Sequence, residues 1–180
     1  MAATFDVLVD YLTQLGTERV AHTDGTFLEH LIAVYRDLEK WGADEAVCRA
    51  GMFHSIYGTE RFQKFSLPIS RREEVRQLIS ERAEYLAYLN CAMDRASLDR
   101  EVERGTPPFV ILDRLTQRDV ELSSQDFDDL CRVHLCDWLE QVPRCRQWNY
   151  RRAAYRQMAA RLGRAAQQAY DAVFASAAAE

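Results

Sequence analysis

Two apolar runs on either side of a WGAD turn constrain this chain more than any other feature. From Phe27 to about Trp41, the residues Leu28, Leu31, Ile32, Tyr35 and Leu38 recur at three- and four-residue steps. That is the period of one face of an α-helix. After the turn, Ala46, Val47, Ala50, Phe53 and His54 mark a second such face. Gly42 suits the left-handed position that closes a helix, and Asp44 suits the N-cap that opens the next. Gly51 lets another element approach closely. Each run carries a histidine, His30 beside Leu31 and Val34, and His54 at the head of the polar cluster HSIYGTE.

The rest of the chain reads the same way. Phe5, Leu8, Val9, Leu12 and Leu15 form a first helical stripe, stopped by Gly16 and Thr17. A long helix is expected from about Arg71 to Asn90 or beyond, with Val75, Leu78, Ile79, Leu86 and Leu89 apolar and Asp94 near its inward face. Gly105 to Pro108 is the clearest internal break, though too little chain follows it for a separate core. Ser123 or Ser124 is expected to cap a helix through Asp126–Gln141, ended by Pro143. A last helix, from about Arg146 to Ala175, would pack Tyr150, Tyr155, Met158, Leu162, Tyr170 and Phe174. No strand pattern stands out. The expectation is an all-α bundle of six or seven helices in a single domain over 1–180, with the motif-bearing part at about 20–100 and additional helices over 109–176.

Composition narrows the function classes. A chain of 180 residues, 48% apolar and 28% charged, suits one well-buried core. A net charge of −5 argues against a general nucleic-acid surface. The arginines between Arg144 and Arg164 are interleaved with core-type aromatics and read as a solvated face. No apolar run approaches the roughly 18–20 residues of a membrane span, and the N-terminus lacks the pattern of a signal peptide. Five cysteines, odd in number and without a C-x-x-C pair, read as reduced thiols in a cytoplasmic protein. Gly-rich phosphate loops and nucleophile elbows are missing.

His30, His54 and Asp94 are the candidates for chemistry. Two neutral imidazoles and a carboxylate suit one divalent ion such as manganese, iron or zinc, with positions left open for water or substrate. The competing reading makes them satisfied core residues. His134 and Asp137, three residues apart on one helix, have a spacing that can orient a ligand.

The order T-x-L-x-H-L-x-x-V, W-G-A-D, G-x-x-H-S and A-M-D-R resembles the HD-domain metal-dependent phosphohydrolases over about residues 20–100. It is most similar to the hydrolase domain of alarmone enzymes of the RelA/SpoT type. The HSIYGTE segment also resembles an uncharacterised group of HD-like bacterial proteins. The resemblance implies an HD-like bundle in which His30 and His54 are ligands and Asp94 with Arg95 is the distal Asp-Arg pair. It departs at Ser55, where the family has aspartate. The acidic residues expected one turn later are absent as well, leaving Glu60 as the nearest carboxylate to act as a base. His22, near the family's upstream substrate-binding position, joins Tyr57, Arg61 and Arg95 as expected contacts for a small anionic molecule. The implied activity is hydrolysis of a small phosphate ester or nucleotide. The alternatives are an HD-like non-haem iron oxygenase, with two irons, and a binding or regulatory module that has lost catalysis. A homodimer is compatible with any of these, as nothing in the sequence specifies one.

Overall fold

The computed structural model describes residues 3–177. Among these, nine α-helices are present: α1 Phe5–Gln14, α2 Phe27–Lys40, α3 Glu45–Met52, α4 Arg72–Ile79, α5 Glu81–Ala92, α6 Arg95–Arg104, α7 Ser124–Cys145, α8 Arg152–Leu162 and α9 Arg164–Ala177. Two antiparallel hairpins accompany them, Ala21–His22 (β1) with Gly25–Thr26 (β2) and Phe109–Asp113 (β3) with Arg118–Leu122 (β4). The protein is mostly helical, as its periodicity indicates. None of the described helices is long and apolar enough to cross a membrane.

The helical pair at the centre forms for the expected local reasons. Thr26 and Glu29 close a reciprocal capping box at the start of α2. Gly42 adopts a φ of 75°, and Asp44 accepts the Val47 N–H at 2.9 Å to start α3. Gly51 is where the two helices touch. A Cβ there would lie 2.2 Å from Leu38 Cδ1, so any larger residue would force the buried Leu38 side chain to shift. Around them α7 packs against α2, α3, α5, α8 and α9. This helix carries twelve buried residues, Asp129, His134 and Asp137 among them.

Four expectations need correction. The long fourth helix is broken at Ser80, whose φ of 93° and ψ of 158° turn the chain between α4 and α5. Val75, Ile79, Ala83 and Leu86 are all buried, so the apolar pattern runs through the break and conceals it. A second break at Met93 ends α5, and a third at Gly163 divides the expected last helix into α8 and α9. The third correction concerns the strands. Phe109, Ile111 and Asp113 of β3 alternate inward, and Asp113 Oδ1 accepts the Leu115 and Thr116 N–H groups to make the turn. The turn contains no glycine. Gln117 takes the left-handed conformation instead, at a φ of 57°, so the usual hairpin signal is missing. Pro143 does not end α7, which runs on to Cys145.

Candidate metal centre

His30 comes from α2, His54 from the turn that follows α3, and Asp137 from the middle of α7. All three are buried. Nε2 of His30 lies 3.2 Å from Nε2 of His54 and 3.2 Å from Oδ1 of Asp137, and His54 Nε2 lies 3.3 Å from the same oxygen. Ligand atoms about 2.0–2.1 Å from one ion, at tetrahedral to octahedral angles, are themselves roughly 2.8–3.4 Å apart. The triangle therefore has the dimensions of one shared ion.

The outer nitrogens explain why these three atoms are acceptors. His30 Nδ1–H donates to Glu140, and His54 Nδ1–H donates to the Gly51 carbonyl at 2.6 Å. With each Nδ1 proton committed, both Nε2 atoms present lone pairs, as does the Asp137 carboxylate. Three acceptors at this separation repel one another unless a cation lies between them, either a proton on one imidazole or a metal. Burial works against a charged His30, but the carboxylates of Asp137 and Glu140 outweigh it and push its pKa up to about 9. Burial also opposes ionisation of Asp137, yet His54 and His30 hold it well below the usual carboxylate range. Glu140 is itself fixed by Arg144 through two hydrogen bonds, of 2.6 and 2.7 Å. A carboxylate behind a ligating imidazole sets its tautomer and raises its basicity.

Asp137 opens onto a cavity of about 160 Å³ lined by His22, Ser55, Arg61, Arg95 and Trp138, among others. His22 stacks on His30 with ring centroids 4.2 Å apart. Burial, then the adjacent His30, push it down to about 4, so it lines the cavity as a neutral ring. Arg95, at the first turn of α6, and Arg61, in the segment after α3, reach the same cavity.

The other expected site residues lie elsewhere. Asp94, expected as the third ligand, instead caps α6, accepting the Ser97 N–H at 2.7 Å, while its own N–H donates to Leu112. A break at Met93 that the periodicity could not reveal turns Asp94 away from the histidines. Glu60 is exposed, and its carboxylate accepts the Arg95 backbone N–H at 3.0 Å, so it does not stand at the cavity as a base. Tyr57 is buried, donates to Glu84 at 3.0 Å and does not line the cavity. Ser55 lines the cavity, and the carboxylate that meets both imidazoles is Asp137, from another helix. The sequence singled out Asp137 only with His134, as a pair that can orient a ligand, and placed neither it nor Glu140 beside His30 and His54. The available signal was H-x-x-D-x-x-E at residues 134–140, acidic groups at three-residue steps along a helix that is otherwise largely apolar.

His134 is not part of the triangle. Its Nδ1–H donates to Asn90 Oδ1 at 3.1 Å, and its Nε2 accepts from Arg151 at 2.7 Å. Asn90 in turn donates to the His54 carbonyl at 2.9 Å.

Comparison with known proteins adds one finding. A family model described as a domain of unknown function (DUF6817) matches residues 11–95. That span includes His22, His30, His54, Arg61 and Arg95, and it ends before the helix that carries Asp137 and Glu140. No curated protein and no solved structure matches the chain.

Proposed function

We propose that this chain is an HD-like, metal-dependent phosphohydrolase that uses one divalent ion, manganese, iron or zinc, to hydrolyse a small phosphate ester or nucleotide. The observation that carries the reading is the triangle of His30, His54 and Asp137 acceptor atoms beside a cavity that also holds two arginines. When bound there, a divalent ion lowers the pKa of a coordinated water and neutralises charge on a phosphoryl oxygen. Glu140 holds His30 in the tautomer that presents Nε2. Arg61 and Arg95 supply positive charge for an anionic group. Glu60, tied to the N-terminus of α6, acts by holding Arg95 in place.

Two histidines and one carboxylate are also the ligand set of mononuclear non-haem iron oxygenases. The two-iron form finds less support, because His22 stacks on His30 and adds no donor to the triangle. The paired arginines favour phosphoryl chemistry over oxygen chemistry. The two arginines would serve an anion-binding module equally well, so the metal and activity measurements below separate that reading from the enzyme.

The test is the metal content of protein purified without chelator or affinity-tag metal, alongside His54→Ala, followed by a phosphomonoester screen. About one equivalent of manganese, iron or zinc, lost in the variant together with phosphatase activity, is the expected result. Full activity in metal-free protein would overturn the reading. Iron with oxygen consumption would turn it to the oxygenase.

A further inference from the structure

The cavity beside Asp137 carries donors that its own walls leave unused. Trp138, the next residue on α7, lines it at 4% exposure, and its indole Nε1–H is buried without a hydrogen-bond partner. Buried donors are nearly always paired, so an orphan marks a place that an acceptor should fill. The two arginines are unusual as well. Arg95 donates to the Tyr150 hydroxyl at 3.1 Å; Arg61 lies 4.3 Å over the Tyr150 ring and donates to Gln147 Oε1 at 3.1 Å. Their partners are neutral. Among the described residues neither guanidinium is paired with a carboxylate, whereas those of Arg72, Arg82, Arg144 and Arg151 all are. Two positive charges therefore reach one cavity that Trp138 also lines, and the one carboxylate on its walls, Asp137, is held between the two histidines.

These donors stand on three different elements: α6 for Arg95, the segment after α3 for Arg61, and α7 for Trp138. A carboxylate offers two oxygens in one plane, whereas a phosphoryl group offers three in a tetrahedron, and donors on separate walls match the second. Size sets the other limit. The cavity is about 160 Å³, close to the roughly 150 Å³ of an engineered cavity that admits benzene. A phosphoryl group and a few carbons fill that space, and a nucleoside does not fit within it.

We infer that the cavity seats the phosphoryl group of a compact phosphomonoester through Arg61, Arg95 and the Trp138 N–H, and that it binds such an ester more tightly than a nucleotide, whose nucleoside it cannot enclose. The inference rests on the metal-dependent phosphohydrolase reading and narrows its substrate class. Calorimetric titration of the protein as purified, with inorganic phosphate and separately with adenosine monophosphate, tests it. Phosphate should bind at least tenfold more tightly than the nucleotide. Arg95→Gln should weaken phosphate binding about tenfold or more, and Trp138→Phe, which keeps a ring against Tyr155, about tenfold. Nucleotide binding as tight as phosphate overturns the size limit. Phosphate that fails to bind, or that binds equally well to both variants, overturns the subsite. Weakening in Arg95→Gln alone removes Trp138 from it. Metal analysis of the same samples keeps the two readings apart. Arg95-dependent phosphate binding by a protein that holds no metal sinks the metal centre and leaves the subsite. A metal-loaded protein that ignores phosphate does the reverse.

Discussion

Two groups of buried histidines share this core and are wired in opposite ways. In the first, His30 and His54 spend their Nδ1 protons on Glu140 and on the Gly51 carbonyl, and their Nε2 lone pairs converge on Asp137. In the second, His134 gives its proton to Asn90 and receives one from Arg151, which is itself clamped by Asp99. Both groups are buried, and His54 and His134 are equally inaccessible to solvent. What separates them is the far nitrogen. Where a donor meets it, the ring is a structural bridge; where only acceptors meet it, the ring needs a cation. Burial of a histidine therefore says little about its role until the partner of each nitrogen is known.

The contrast can be broken most directly at Asp137. In Asp137→Asn, which keeps the shape but removes the charge, bound metal measured by elemental analysis should fall by about 100-fold in affinity or more. Metal retained at wild-type affinity would mean that the triangle is not a ligand set. Glu140→Gln should come next. The Nδ1–H of His30 keeps an acceptor but loses a carboxylate, so competitive chelation should record affinity lower by about 10–100-fold, with the fold unchanged by circular dichroism.

His134→Leu should do the opposite. Arg151 keeps Asp99 and Tyr155, but Asn90 Oδ1 is left without a donor, which costs about 1–3 kcal/mol in chemical denaturation. Metal content should hold, because Cys91 still donates to the His54 carbonyl. Loss of metal here would show that the two groups act as one unit.

The smallest effect is in pH. Burial, then Arg151, hold His134 well below its ordinary value of 6.5, and His22 is pushed down to about 4. Groups depressed in the folded state contribute stability that is present above the unfolded value and lost as pH falls. Stability should therefore decline below about pH 6.5, with each such histidine adding up to about 1.4 kcal/mol per pH unit. His134→Leu should flatten this slope in denaturation curves taken from pH 6.5 to 5, leaving the part due to His22. An unchanged slope would place the titration elsewhere.

Local rules were enough for part of this molecule. The apolar period, Gly42 and Asp44 determined α2 and α3 and the place of His30 on α2, while His54 lies just past the end of α3, because caps and amphipathic faces are written within a few residues of where they act. The mostly helical class followed for the same reason. Tertiary structure alone decided the rest. Ser80 and Met93 break helices whose apolar phase continues unbroken, so no periodicity could locate them, and the second break sends Asp94 to cap α6. The β3–β4 turn uses an aspartate side chain and a left-handed Gln117 in place of glycine. The third ligand is a matter of which helix packs where. Asp137 lies far along the chain from His54, and only the packing of α7 against α2 and α3, which Gly51 permits to lie close together, brings its carboxylate to the two imidazoles. A sequence specifies donors and acceptors one residue at a time, but a metal centre is a distance between atoms on separate helices, and that distance is set by the core between them.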